Sequence, residues 1–208
     1  GAWRLMKMGI VVKQMKTVET LGSATVICTD KTGTITENKM SLAKLFVLST
    51  SKISSPDEKL TDEEIQLITI AMWASEPIPF DPMEIALHQA YTNLKTEDKR
   101  PNFKMIHEYP LSGKPPMMTH LFENNLGQRI IAAKGAPEAL MNVSDLSEDE
   151  KNQINQAIET ITQEGYRVLG VGECHFEGND FPTTQQEFKF EFTGIVAFYD
   201  PPKKNFKS

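Results

Sequence analysis

Two apolar runs that each stop at an aspartate constrain this chain more than any other feature of it. The first, Ala24-Thr25-Val26-Ile27-Cys28-Thr29, is rich in β-branched residues and ends at Asp30. The second, Thr193-Gly194-Ile195-Val196-Ala197-Phe198-Tyr199, ends at Asp200. Runs this apolar read as strands buried on both faces, the habit of parallel sheets. A strand that stops at a carboxylate and a glycine-containing turn, here Lys31-Thr32-Gly33-Thr34, has the layout of the carboxyl edge of an open α/β sheet, where ligands bind. The expectation is an open-sheet domain interrupted after its first strand by a separate module of about 150 residues, an ordinary domain size.

The intervening stretch has its own punctuation. Leu45 and Val47 indicate a strand. Thr61-Asp62-Glu63-Glu64 has the form of a capping box and opens a helix through Ile65, Ile68 and Met72. Asp81-Pro82-Met83-Glu84 opens another, with Asp81 as N-cap, Pro82 in the first turn and Glu84 closing the box. Residues 103–109, 117–123 and 129–134 read as strands, the last two joined by the hairpin signal Asn124-Asn125-Leu126-Gly127. A third capping box, Ser147-Glu148-Asp149-Glu150, starts a helix with Ile154, Ala157, Ile158 and Ile161 on one face, stopped by Gly165. Residues 166–173 and 188–198 read as strands, so the block is an α+β unit.

Composition narrows the function. The 208 residues carry a formal net charge of −6 at pH 7 with no compensating basic stripe, which argues against a nucleic-acid partner. Residues 1–16 hold Arg4, Lys7, Lys13 and Lys16 and no acid. They read as a solvated basic face or as a segment near anionic lipid heads, and they lack the apolar core of a signal peptide. No apolar run reaches membrane-spanning length. Cys28 and Cys174 form neither a disulfide framework nor a zinc spacing, which fits a reducing compartment. His88, His107, His120 and His175 sit in no ligand-like spacing and read as structural or surface residues.

Asp30 is the reactive candidate. A strand-end carboxylate in a loop of small residues can act as a nucleophile toward phosphorus, with backbone N–H groups around the oxyanion and a cation to neutralise spreading charge. Lys31 is placed to help, and Mg²⁺ is the natural main clamp. Two residues on, where simple phosphatases of this layout carry a second aspartate as general acid and base, stands Thr32, which has no useful pKa for that role. A phosphoryl group on Asp30 is therefore expected to hydrolyse slowly.

The string Cys28-Thr29-Asp30-Lys31-Thr32-Gly33-Thr34-Ile35-Thr36 resembles the phosphorylation signature of the P-type ATPases, the cation pumps. Further matches fall in family order: Thr17-Val18-Glu19-Thr20-Leu21-Gly22 before it, then Asp81-Pro82-Met83-Glu84-Ile85-Ala86-Leu87 in the nucleotide domain. Lys134-Gly135-Ala136-Pro137-Glu138, Gly165-Tyr166-Arg167-Val168-Leu169 and the hinge-like Asp200-Pro201-Pro202-Lys203 follow. The resemblance covers essentially the whole chain, in the style of the calcium-, sodium- and proton-pump branches, without the His-Pro pair of the heavy-metal branch.

The resemblance implies an α+β nucleotide-binding domain, an antiparallel sheet with flanking helices, inserted into a truncated haloacid-dehalogenase-like α/β phosphorylation domain. Residues 1–41 would be the first part of the phosphorylation domain, 42–192 the nucleotide-binding domain and 193–208 the returning strand and hinge. Asp30 would accept the γ-phosphoryl group of ATP, Lys31, Thr32 and Thr34 would contact it, and Asp30 with the Thr32 carbonyl would hold Mg²⁺. Glu84, Lys134, Gly135 and Arg167 would bind nucleotide, with Asp200 and Lys203 at the hinge. Each of these has a plainer reading: Glu84 as a capping residue, Lys134 as a solvated strand end, Arg167 as a surface strand residue.

The sequence departs from the family where an aromatic ring usually stacks on adenine with a lysine five residues later. Here Leu111 and Pro116 occupy those positions, which predicts weaker nucleotide binding; Lys114 and Tyr109 are the nearby substitutes, and Met117 and Met118 read as core. The family's later elements, Thr-Gly-Asp and Gly-Asp-Gly-x-Asn-Asp, do not occur, nor do transmembrane helices or an actuator domain. The chain is expected to be a cytoplasmic-face piece of a membrane pump. On its own it would bind ATP weakly without turnover, with truncated strands that leave edges open to self-association. The rival expectations are a non-catalytic nucleotide-binding module and a soluble haloacid-dehalogenase-like phosphatase.

Overall fold

The computed structural model describes Lys7, residues 39–94 and residues 96–201. The chain enters through β1 (Ser41–Val47) and β2 (Lys52–Ser54), then forms helices α1 (Asp62–Trp73) and α2 (Pro82–Asn93). Strands β3 (Phe103–Ser112), β4 (Met117–Asn124) and β5 (Arg129–Gly135) follow. After them come helices α3 (Pro137–Asn142) and α4 (Glu148–Gln163), and finally strands β6 (Arg167–Glu173) and β7 (Glu191–Tyr199). All seven strands form one sheet in the order β2-β1-β7-β6-β5-β4-β3, and each neighbouring pair is antiparallel.

Both faces of the sheet are covered. Leu45, Val47, Val171, Val196 and Phe198 pack with α1 and α2. Phe46, Ile131, Ala133, Ile195 and Ala197 pack with α3, α4 and the segment containing Phe188 and Phe190. A fully buried Leu or Ile in either layer contributes roughly 1.5–3 kcal/mol. Double coverage explains one departure from the sequence reading. The apolar run 193–199 lies within β7, a central antiparallel strand between β1 and β6. Because helices cover both faces, it shows the unbroken hydrophobicity that otherwise marks a parallel strand. The expected boundary at 192/193 thus falls inside a strand of this sheet. The unpaired edge expected of that segment is absent too, since Phe198 pairs with Leu42 on one side and Arg167 on the other. The strand expected at 24–29 lies outside the described residues.

The capping signals became structure. Thr61 Oγ1 accepts from Glu64 N at 3.3 Å while Glu64 Oε2 accepts from Thr61 N at 2.8 Å, closing the box that starts α1. Ser147 and Glu150 do the same for α4, whose Ile154, Ala157 and Ile161 are buried. Each such cap is worth about 1 kcal/mol. Asp81 Oδ1 accepts from Met83 N at 2.8 Å and Glu84 N at 3.4 Å, so α2 is capped from one side only. In the β4–β5 hairpin, Asn124 Oδ1 accepts from Leu126 N and Gln128 N, and Gly127 supplies the positive φ of 76°. Strand β2 and helix α3 were not anticipated, each being too short to show a period. No helix among the described residues is long and apolar enough to cross a membrane.

Candidate functional site

The segment that follows α1, the first turn of α2 and strands β3 to β6 converge on one pocket of about 340 Å³ with mostly apolar walls. Phe80, Asp81, Met83 and Glu84 line it from the α2 side. Glu108, Pro110 and Leu111 come from β3, Met118 from β4, and Lys134 and Gly135 from β5, with Glu76 and Leu169 completing the wall. Four sequence-assigned residues, Glu84, Leu111, Lys134 and Gly135, are thus brought together from positions remote along the chain.

Lys134 is the organising side chain. Met118 and Val171 flank it in register on β4 and β6, so all three share the face toward α1 and α2. It is 5% exposed. Its Nζ donates to Glu84 Oε1 at 2.5 Å, to the Ala74 carbonyl at 2.8 Å and to Met118 Sδ at 3.3 Å, which uses all three ammonium protons. The partners suit the helix dipoles, an ammonium at the C-terminus of α1 and a carboxylate in the first turn of α2. Burial pushes the Lys134 pKa below its ordinary value, and the Glu84 charge opposes that shift.

Several sequence readings change here. Lys134 is not a solvated strand end. Glu84 does not close a capping box, because its carboxylate is committed to Lys134. Met118 lines the pocket and touches the ammonium, whereas Met117 is core as expected. Gly135 has a structural reason: a Cβ there would stand 2.4 Å from the Pro116 carbonyl oxygen. Leu111 is 63% exposed, on a stretch where the β3–β4 register shifts. Gln185 holds that stretch, donating to Met117 O at 2.8 Å and to Ser112 Oγ at 3.1 Å.

Neither expected substitute reaches the pocket. Tyr109 is buried on the opposite face among Phe188 and its neighbours, its hydroxyl donating to Pro182 O at 2.6 Å. Lys114 lines a separate cleft with Gly113 and Asn142. The ring that does line the pocket is Phe80, 84% exposed in the loop before α2. Sequence reasoning missed it because it belongs to no motif; a large aromatic just ahead of an N-cap was the available signal.

Arg167 does not line the pocket. It is exposed two residues before Leu169 on the same face of β6, roughly 6–7 Å farther along the strand. Asp200 follows β7, and its carboxylate oxygens make no hydrogen bond with the described residues. Asp30, Lys31, Thr32, Thr34 and Lys203 lie outside the described residues. A larger cleft of about 680 Å³ opens between Met40, Leu60 and Leu94, away from the Lys134–Glu84 pair. The Lys134 pocket offers apolar walls, an exposed ring and a buried ion pair, the features of a small-molecule binding site.

Residues 80–205 match the family described as P-type ATPase, cytoplasmic domain N. Calcium-transporting ATPase 1 of Saccharomyces cerevisiae is 29% identical over 246 residues, covering 100% of this chain and 26% of the relative. Calcium-transporting ATPase 1 of Bacillus cereus is 28% identical, covering 100% of this chain and 25% of the relative. Plasma membrane ATPase 1 of Candida albicans is 26% identical, covering 98% of this chain and 21% of the relative. The chain thus spans about a quarter of the length of the curated relatives it matches.

Proposed function

The chain belongs to the P-type ATPases, through their cytoplasmic domain N, and we propose that it binds ATP with the base in the Lys134–Glu84 pocket. The convergence of Glu84, Lys134, Gly135 and Leu111 on one apolar pocket carries this reading. Phe80 supplies the stacking ring that Leu111 lacks, from the opposite wall of the motif. Arg167, farther along the same sheet face, takes the phosphate end. Lys134 acts first as the buried tie that shapes the floor, since its three protons are already engaged.

In the intact protein we place this module beside a haloacid-dehalogenase-like phosphorylation domain, with actuator and transmembrane domains as its further partners. A carboxylate oxygen of Asp30 attacks the γ-phosphorus, the bond to the ADP oxygen breaks, and an aspartyl phosphate and ADP result. Asp30 and Thr32 would hold Mg²⁺, which would supply positive charge to the transferring group. Water then cleaves the acyl phosphate to inorganic phosphate and free Asp30; coupled to cation transport, this cycle makes the parent an ATP hydrolase and translocase of a membrane. The chain alone binds nucleotide weakly and does not turn over.

Titration of the chain with ATP, followed by amide NMR shifts, tests the binding reading. Shifts concentrated at Phe80, Glu84, Leu111, Lys134 and Arg167 support it, and an unmoved set there overturns it. For the intact pump, Asp30→Asn is expected to abolish the acid-stable phosphoenzyme. ATP-driven turnover that persists in that variant refutes the assignment of Asp30.

A further inference from the structure

Beside the ion pair, three ligand-type side chains meet that the sequence keeps far apart. Glu76 follows α1, Glu108 lies on β3 and His120 lies on β4. One donor atom from each falls within 4.8 Å of the other two. Glu108 and His120 are direct cross-strand partners, so they share a face. Glu76 is brought over them because Ser75, its chain neighbour, bonds the same histidine.

The state of His120 is decided by geometry. Its side chain is wholly buried, 0% exposed. Its Nδ1 lies 3.0 Å from the Ser75 carbonyl oxygen; a carbonyl only accepts, so Nδ1 carries a proton and Nε2 is the ring atom that can offer a lone pair. Nε2 has no hydrogen-bond partner, and it points at Glu76 Oε1, 3.8 Å away. Burial, with the charge of Lys134 as the second cause, lowers the His120 pKa and favours the neutral ring. An imidazole whose Nδ1–H is fixed on a backbone carbonyl, leaving Nε2 bare toward carboxylates, is the arrangement of a metal-ligating histidine with its outer partner in place.

We propose that Glu76, Glu108 and His120 form a binding site for one divalent cation of the Zn²⁺ class. Tetrahedral coordination with bonds of ~2.0–2.1 Å sets donors ~3.3 Å apart. The 3.8 Å separation of His120 Nε2 and Glu76 Oε1 closes to that by a small movement of Glu76, which is only partly buried. Three protein ligands would leave one position for water or another ligand, and two of the three, Glu76 and Glu108, also line the Lys134 pocket. The imidazole nitrogen selects a transition ion over Mg²⁺ or Ca²⁺, which take six or more ligands, mainly oxygens. The cation also offsets the charge of two of the four carboxylates that line the pocket. This site goes beyond nucleotide binding and does not depend on it.

The test uses the 208-residue chain, stripped with chelator and free of nucleotide. Co²⁺ is titrated as a visible stand-in and Zn²⁺ by calorimetry. One equivalent is expected, with the intense visible bands of tetrahedral Co²⁺ and a Zn²⁺-induced shift of the His120 Nε2 resonance. Glu108→Gln, at an exposed position that tolerates the change, and Glu76→Gln should each lower affinity at least tenfold. Absence of a stoichiometric Co²⁺ spectrum overturns the site. So does Zn²⁺ affinity undiminished in both variants, which places the ion elsewhere.

Discussion

Lys134 on β5 holds Glu84 on α2 at 2.5 Å, with both side chains buried, and this pair closes the floor of the pocket. Removing one partner of such a pair leaves the other charge buried and alone. Lys134→Met is therefore expected to cost about 3–5 kcal/mol of stability. The double variant Lys134→Met with Glu84→Gln should recover much of it. Urea unfolding without nucleotide measures both; equal loss in single and double variants would show that the pair is not coupled.

Phe80 is exposed, so its truncation should leave the fold alone and act on the ligand. Stacking of a base on an aromatic ring is worth ~1–3 kcal/mol. Phe80→Ala should weaken ATP binding by a factor of about 5 to 150 with an unchanged unfolding midpoint. Unchanged affinity would remove Phe80 from the site.

Gln185, 1% exposed, ties the β3 bulge to β4 and accepts from Thr119 Oγ1 at 2.8 Å. Gln185→Leu strands the Thr119 hydroxyl and the Met117 carbonyl away from water. A loss of about 1–3 kcal/mol is expected, with Leu111 amide signals shifted. Denaturant unfolding and an amide spectrum check the two effects separately.

Cys174 is the free thiol of the described residues, and burial, with the neighbouring Glu173 charge, pushes its pKa up to about 12. The folded value lies above the unfolded one. Its contribution to stability is complete below about pH 9 and is lost as pH rises from there toward 12, at up to about 1.4 kcal/mol per pH unit. With burial holding the thiol protonated, alkylation at Cys174 at pH 8 should run much slower in the folded chain than in the unfolded one. Peptide-resolved mass spectrometry reads that rate.

Local signals were legible where one residue fixes one geometry. Thr61, Asp81 and Ser147 announced their helices, and Asn124 with Gly127 announced its hairpin, because caps and tight turns are decided within four residues. Helix α3 and strand β2 were too short to carry a period. Strand β7 was read as part of a different sheet, since a strand covered on both faces looks the same whichever way its neighbours run. Motif matching singled out Glu84, Lys134 and Gly135, which the fold brings to one pocket. It could not tell that Glu84 answers Lys134 instead of the α2 cap, a choice made by the register of β5 against the helices. The Glu76, Glu108 and His120 cluster comes from the β3–β4 pairing of Glu108 with His120 and from the bond of that histidine to Ser75, and it left no trace in spacing.

Ser41 and Tyr199 are paired across β1 and β7, so the polypeptide leaves the sheet where it entered. Their backbones sit about 5 Å apart, the width of one strand. Entry and exit side by side leave the strand pairings of the sheet independent of whatever the two ends join.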